Sequence, residues 1–109
     1  MSVPRNRQVQ RAGHRHIVKI EGVCGGEAII EGTRIAVWRV ADFYYRVGLS
    51  VEEILLDWDA LTPAQVFDAL AYYHDHREEI DRLRWENSYE YWKEHQADAA
   101  ALYYKTSPE

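Results

Sequence analysis

The residues best suited to bind an anion lie near the middle of the N-terminal half. Thr33 offers a hydroxyl and Arg34 a rigid guanidinium fork, which matches the geometry of a carboxylate or a phosphate. Both belong to the run IEGTRIAV at residues 30–37, where a glycine allows a tight turn between β-branched residues that suit strands. This run predicts a corner of the chain, with extended pieces before it and helices after it.

Residue types that support catalysis or metal binding are present, but their spacing favours neither. Cys24 with His14 or His16 could form a thiol–imidazole pair, yet proximity in sequence sets no geometry, and a cysteine near glycines is typical of a turn. The same three residues lack the spacing of zinc ligands. His74 and His76 point to different sides of a helix. We therefore predict that the chain is not an enzyme and holds no metal or other cofactor.

Length and composition limit the classes of protein to which the chain can belong. With 109 residues the chain has room for one domain with a modest core. Its single cysteine, Cys24, cannot form an internal disulfide, which fits a reducing compartment. No apolar run is long enough to cross a membrane, and the arginine-rich residues 1–16 lack the apolar centre of a secretion signal. We therefore expect a cytoplasmic protein with no membrane contact.

Charge divides the chain into a basic and an acidic half. Residues 1–46 carry eight Lys and Arg against four Asp and Glu, whereas residues 47–109 carry five against fourteen. Such a polarity permits nucleic acid at one end and a basic protein partner at the other. A solvent-exposed acidic helix face is the simpler explanation of the second half.

The N-terminal third predicts an arm and two strands. Residues 1–15 have spaced arginines and little apolar content, so we predict a flexible basic arm. Short apolar runs within His16–Glu21 and Ala28–Glu31, separated by glycines, predict a β ribbon. Two strands alone are marginally stable, so this ribbon must lie on the helices or pair with a second copy, and we expect a homodimer.

Helix signals begin after the corner. Apolar residues at helical spacing predict a first helix over Ala36–Val47, which Gly48 ends. Ser50 and Glu53 form a capping box that starts a short second helix.

The strongest helix start is the run TPAQ at residues 62–65. It combines an N-cap Thr, a Pro at the first helical position and a reciprocal Gln. No Pro or Gly follows before Pro108, so we predict that this third helix runs past Arg82, with Asn87–Ser88 as its break. Its periodicity defines two faces: Val66, Ala69, Leu70 and Tyr73 point to the core, and Gln65, Asp68, Tyr72 and Asp75 point to another side.

A helix, a short helix, a three-residue turn and a capped helix form the arrangement of a helix-turn-helix, whose later helix can enter the DNA major groove. The same arrangement occurs in helical domains that never bind DNA. We predict a mainly α fold: a small helix-turn-helix bundle with a short N-terminal β ribbon and a C-terminal helical extension. The predicted domains are the arm at 1–15, the helix-turn-helix domain at 16–83 and an aromatic, acidic helical tail at 84–109.

The same segments carry a resemblance to a known family. The runs CGGEAIIEGTRIAV at 24–37, GLSVEEI at 48–54, LTPAQV at 61–66 and ALAYY at 69–73 resemble, in order and spacing, the bacterial and archaeal family catalogued as domain of unknown function 433. The sequence departs from the family at Ala36, where proline is common, and in its longer aromatic tail. The resemblance implies a helix-turn-helix domain similar to antitoxins of type II toxin–antitoxin systems, often encoded beside a toxin that resembles a PIN-type ribonuclease.

The third helix supports a DNA role only in part. It carries no Lys or Arg between Thr62 and Asp75, and Asp68 would face a groove lined by phosphates. The predicted DNA contacts are Gln65 to an adenine edge and Thr62 to a phosphate. Phosphate affinity would come from four arginines: Arg34, Arg39, Arg11 and Arg15. Alternatively, Gln65 is only the capping partner and the arm only a solubilising tail.

The tail predicts contact with a partner protein. Trp85, Tyr89 and Trp92 belong to residue types that dominate interfaces, and their acidic neighbours give the tail the sign that complements an RNA-binding groove. We predict that this tail docks on the toxin and blocks its substrate channel, with Arg84 reaching the acidic metal site. Alternatively, the aromatic stripe packs back on the domain or forms a helix pair in a dimer.

Together these features predict an antitoxin-like, DNA-binding protein that neutralises a ribonuclease-type toxin and represses its own promoter. The alternative is a protein-interaction module without DNA binding. Salt-dependent binding to promoter DNA separates the two, because phosphate neutralisation makes the affinity fall steeply with salt.

Overall fold

The described part of the chain is mostly helical and begins with a small sheet. The structure is a computed structural model that describes residues 8–11, 13–88 and 93. At this level the predicted mainly α fold class with an N-terminal ribbon is confirmed. Within the described residues, no helix combines the length and the apolar composition that a membrane span requires.

The sheet has three antiparallel strands in the order β1-β2-β3. Strand β1 spans Val9–Arg11, β2 spans Ile17–Ile20 and β3 spans Ile29–Ile30. The two strands of the predicted ribbon are thus present in shortened form, and a third strand comes from residues that the sequence placed in the basic arm.

Strand β1 is held by backbone pairing rather than by burial. Val9 lies opposite Ile20 and Arg11 opposite Val18, and all three residues of β1 are exposed. An exposed edge strand leaves no apolar periodicity in the sequence, so the pattern predicted an arm where the structure has a strand.

The inner face of the sheet lies on the helices. Ile17, Ile29 and Ile30 are buried, and β2 and β3 contact the third helix. The ribbon is therefore completed by β1 and covered by helices of its own chain, which is the first of the two predicted ways to stabilise it. Its burial does not require the predicted homodimer.

The first predicted helix divides into two parts. Helix α1 spans Val37–Asp42, and the chain continues as a π-helical turn over Phe43–Val47. Gly48 ends it at a φ of 87°, a left-handed conformation that glycine adopts without strain. The predicted end is confirmed, whereas the change from an α-helix to a wider turn has no signal in the apolar spacing.

Helix α2 starts at its predicted cap and leads into a tight turn. It spans Val51–Asp57. The Ser50 Oγ accepts the Glu53 N–H at 3.1 Å, and the Glu53 Oε1 accepts the Ser50 N–H at 2.8 Å. In the turn that follows, the Leu61 N–H donates to the Trp58 carbonyl at 3.0 Å.

Helix α3 spans Pro63–Asp75 and also begins at its predicted cap. The Thr62 N–H donates to the Gln65 Oε1 at 2.8 Å, and the Gln65 N–H donates to the Thr62 Oγ1 at 3.3 Å. The proline at the first helical position needs no hydrogen-bond partner there.

The prediction of one continuous helix past Arg82 is wrong. Helix α3 ends at Asp75, and helix α4 spans Arg77–Glu86. Between them His76 has a φ of −134° and a ψ of 49°, which breaks the helix without a proline or a glycine. The bend returns the chain to the core, so tertiary packing overrides the local helix propensity. The predicted break at Asn87–Ser88 is confirmed as the end of α4.

Helix α3 is the centre of the core. It contacts the sheet strands β2 and β3 and the helices α1, α2 and α4. Val66, Ala69, Leu70 and Tyr73 are buried as predicted, whereas Tyr72, predicted on the other face, is buried as well. The sheet contacts α3 on this second predicted face.

Arg84 joins α4 to α1 and α3. Its Nε donates to the Asp42 Oδ1 at 3.2 Å, and its Nη1 donates to the Tyr73 hydroxyl at 2.9 Å and to the Asp81 Oδ1 at 3.2 Å. Burial opposes the charge, yet the hydrogen bond to Asp42 keeps the pKa of Arg84 above its ordinary value.

Replacing Arg84 with Met should lower the free energy of unfolding by about 2 kcal/mol, because Asp42 and Tyr73 lose a donor that is largely shielded from water. Arg82→Met is the matched control, since Arg82 is exposed and pairs with Glu86 one turn along the same helix. Urea denaturation measures both variants. Equal stability of the two would contradict the structural role of Arg84.

Candidate functional site

A cleft of about 300 Å³ opens where the β3–α1 corner meets the end of α4. Its lining includes Cys24, Glu27, Arg34, Trp38, Arg39 and Asn87. The structure therefore brings two of the predicted DNA-binding arginines, Arg34 and Arg39, into one site. The other predicted DNA contacts do not line this cleft.

The predicted corner positions Arg34. Gly32 has a φ of 84°, and the Thr33 hydroxyl donates to the Ile30 carbonyl at 2.7 Å while accepting the Ile35 N–H at 3.0 Å. The Cys24 Sγ lies 3.4 Å from the Arg34 carbonyl oxygen, to which it donates. These bonds fix the backbone on both sides of Arg34 and leave its side chain exposed.

Two guanidiniums and an indole give the cleft its chemistry. The Arg34 guanidinium makes no hydrogen bond or ion pair with any residue that the structure describes. The Arg39 guanidinium carbon lies 5.5 Å from the centroid of the Trp38 ring, within the range of a cation–π contact. Since no carboxylate of the described residues pairs with either arginine, the cleft can bind an anion that carries a planar group.

The start of α3 uses its predicted DNA-contacting groups internally. In the cap the Thr62 hydroxyl oxygen accepts a hydrogen bond and keeps its O–H donor, whereas the Gln65 Oε1 is used, which is the alternative role that the sequence left open for Gln65. The first residues around this start, Thr62, Pro63 and Ala64, are nevertheless exposed. The leading end of α3 is therefore accessible, with few free polar groups.

Asp68 does not face outward as its sequence position suggested. Its Oδ2 accepts the His16 N–H at 2.6 Å, and its Oδ1 lies 3.4 Å from the His14 Nδ1. The His14 Nε2 in turn lies 3.0 Å from the Asp75 Oδ2. The prediction of Asp68 in a phosphate-lined groove fails because the turn between β1 and β2 covers this side chain.

The outward face of α3 is instead weakly polar. Its exposed positions are Ala64, Phe67, Ala71 and His74, and the Phe67 side chain is 59% exposed. On α2, Leu56 is 81% exposed. The periodicity defined a core face and a second face of α3, and Ala64, Phe67, Ala71 and His74 belonged to neither of them.

The two predicted arm arginines differ in their surroundings. Arg11 forms a bidentate pair with Glu31, in which its Nη1 and Nη2 each donate to a carboxylate oxygen at 2.7 Å. These hydrogen bonds hold the pKa of Glu31 below its ordinary value. Arg15 is exposed in the turn between β1 and β2. A phosphate contact from Arg11 would have to break its pair, whereas Arg15 is accessible.

The predicted partner-binding residues are only partly described. Arg84 is 20% exposed at its side chain and engaged within the fold, so a contact with a partner would have to break its internal bonds. Trp85 is 45% exposed. Tyr89 and Trp92 lie outside the described residues.

The residues considered for catalysis, Cys24 and His14, contact different parts of the chain. Cys24 donates to the Arg34 carbonyl, whereas His14 lies against Asp68 and Asp75. The thiol–imidazole pair that the sequence left open between Cys24 and His14 is not assembled. Across residues 8–11, 13–88 and 93, no group of three or more His, Cys, Asp or Glu side chains could hold a metal ion.

Comparison with known proteins places the chain in a family. A family model described as a protein of unknown function, DUF433, matches residues 17–73. The crystal structure of a DUF433 member protein from Anabaena variabilis ATCC 29413 is 38% identical with a TM-score of 0.60, over 63% of this chain and 67% of that one. No curated protein matches the chain. Since the family model spans more than half of its residues, the chain belongs to the DUF433 family.

Proposed function

We propose that this chain is an antitoxin-like regulator that binds DNA through a helix-turn-helix core and neutralises a ribonuclease-type toxin through protein contacts. The observation that carries the proposal is the exposed, capped start of α3, which follows the short α2 and the tight turn at Trp58–Leu61. In a helix-turn-helix this is the part of the recognition helix that approaches DNA. The resemblance to helix-turn-helix antitoxins supports the toxin partner.

The surface chemistry favours contacts with phosphates over recognition of bases. Near the start of α3, the amide nitrogen of Gln65 is the group left to meet a base edge, since its Oε1 is used in the cap. Arg34, Arg39 and Arg15 are exposed cations that can pair with phosphates. A homodimer fits this proposal, because helix-turn-helix proteins commonly bind two half-sites.

A second candidate is a protein-interaction module without DNA binding. The observation that favours it is the exposure of Phe67 and Leu56 on α3 and α2, because large apolar side chains in water are typical of surfaces that bind another protein. The two functions predict different effects of salt concentration on binding to duplex DNA.

The affinity for a promoter duplex should fall steeply with salt concentration. Arg34→Ala combined with Arg39→Ala should reduce the slope of log affinity against log salt by about 2, because two phosphate contacts are lost. Arg82→Ala is the control that removes an exposed charge outside the cleft. Fluorescence anisotropy at several salt concentrations measures the slopes. Salt-independent or absent binding would support the protein-interaction module instead.

We propose that the tail, residues 84–109, makes the contact with the toxin. A chain that ends at Ser88 keeps all of α4, so it should still fold but lose neutralisation of a cognate ribonuclease-type toxin. The full-length Phe67→Ser variant is the control and should still neutralise, since Phe67 lies on α3 rather than in the tail. Growth rescue on co-expression gives the readout. Neutralisation by the shortened chain, or its loss in Phe67→Ser alone, would contradict docking through the tail.

A further inference from the structure

The cleft at the β3–α1 corner has a size and shape that contact with a DNA backbone does not explain. Arg34 and Arg39 are exposed, as contact with phosphates requires, but they also line a concave site of about 300 Å³. That volume is at the lower end for small-molecule sites and suits one nucleotide. A base inside a duplex is stacked on its neighbours and cannot enter such a site.

The charged groups of the cleft suit a phosphate. Arg34 projects from the fixed corner without an ion-pair partner among the described residues, and Arg39 lies one residue beyond Trp38 on the first turn of α1. A guanidinium binds phosphate oxygens through two parallel hydrogen bonds, so Arg34 can hold a phosphate while the charge of Arg39 adds to the attraction.

The aromatic group of the cleft suits a base. Trp38 is half-buried, packs against the core and lines the cleft. The Arg39 guanidinium lies over its ring, and an unpaired base can stack on this pair of planar groups from the side of the guanidinium.

Glu27 gives the cleft a preference among bases. Its side chain lines the cleft, and its carboxylate makes no hydrogen bond with a described residue. A carboxylate accepts hydrogen bonds and donates none, so it pairs with the N1–H and the amino group of guanine. The Watson–Crick edge of adenine instead presents the N1 acceptor, which a carboxylate repels.

We propose that this cleft binds a guanosine monophosphate unit, with its phosphate on Arg34, its base stacked on the Arg39 guanidinium that lies over the Trp38 ring, and its Watson–Crick edge on Glu27. The unit is either a free nucleotide or a guanosine exposed in a single strand. The site rests on the proposed function only in sharing the two arginines, because it requires no duplex.

Calorimetric titration of the full-length chain tests the site. We expect 5′-GMP to bind at least about tenfold more tightly than inorganic phosphate, guanosine or 5′-AMP, because each of these lacks at least one of the three contacts. A short guanosine-containing oligoribonucleotide that binds more tightly than 5′-GMP identifies a single strand as the source, and equal affinity identifies the free nucleotide. Phosphate or 5′-AMP binding as tightly as 5′-GMP, or no binding of 5′-GMP, would overturn the proposal.

Substitutions test which residue makes each of the three contacts with 5′-GMP. Arg34→Ala should weaken 5′-GMP binding about tenfold, whereas Arg82→Ala, which removes an exposed arginine outside the cleft, should leave it unchanged. Glu27→Gln should bring the affinities for 5′-GMP and 5′-AMP together. Trp38→Leu should abolish the gain of 5′-GMP over phosphate, and thermal denaturation checks that this half-buried substitution leaves the chain folded. Equal effects of Arg34→Ala and Arg82→Ala would contradict the assignment.

The same variants separate this site from the proposed DNA contact. Trp38→Leu should leave salt-dependent binding of the promoter duplex unchanged, since a duplex offers no free base. A chain that binds the duplex but not 5′-GMP would overturn the nucleotide site alone. A chain that binds 5′-GMP but no duplex would support the site and contradict the DNA-binding function.

Discussion

Burial of α3 on two sides is the constraint on which the rest of the structure depends. Val66, Ala69 and Tyr72 are all buried, and α3 contacts three helices as well as the strands β2 and β3. A helix enclosed in this way can meet a ligand only through its leading end and its outward strip. The capping box at Thr62 fixes where that leading end begins, so the packing of α3 determines which part of the proposed recognition helix is available.

The ion pairs, rather than the net charge, determine which charged side chains on the surface can bind a ligand. The chain has a formal net charge of −5, yet many of its charged groups are engaged with each other. Glu31 holds Arg11 and Asp42 holds Arg84, so these arginines serve the fold. Arg34 and Arg39 make no such ion pair among the described residues, which leaves a basic cleft on an acidic protein. A uniform acidic surface would repel nucleic acid, whereas a local basic site attracts it.

The sequence predicts features that local chemistry determines and misses those that tertiary contacts determine. Both capping boxes and the stop at Gly48 depend on neighbouring residues, and the structure has all three. The bend at His76 and the turn of Asp68 toward the sheet depend on segments far along the chain, so periodicity could not show them. The cleft also depends on tertiary contacts. Arg34 was singled out by its corner, but Glu27 and Trp38 join it through the pairing of Ile29 with Ala36, and Asn87 joins it from the end of α4.

The central claim is that the leading end of α3 and the basic cleft form the surface that meets nucleic acid. Mapping of backbone amide chemical shifts during titration with a promoter duplex tests this claim most directly. The account predicts that the largest changes occur at Arg34, Arg39 and residues 62–65, and that they diminish as salt is added. Changes confined to the strip around Leu56 and Phe67, or no changes at all, would contradict it.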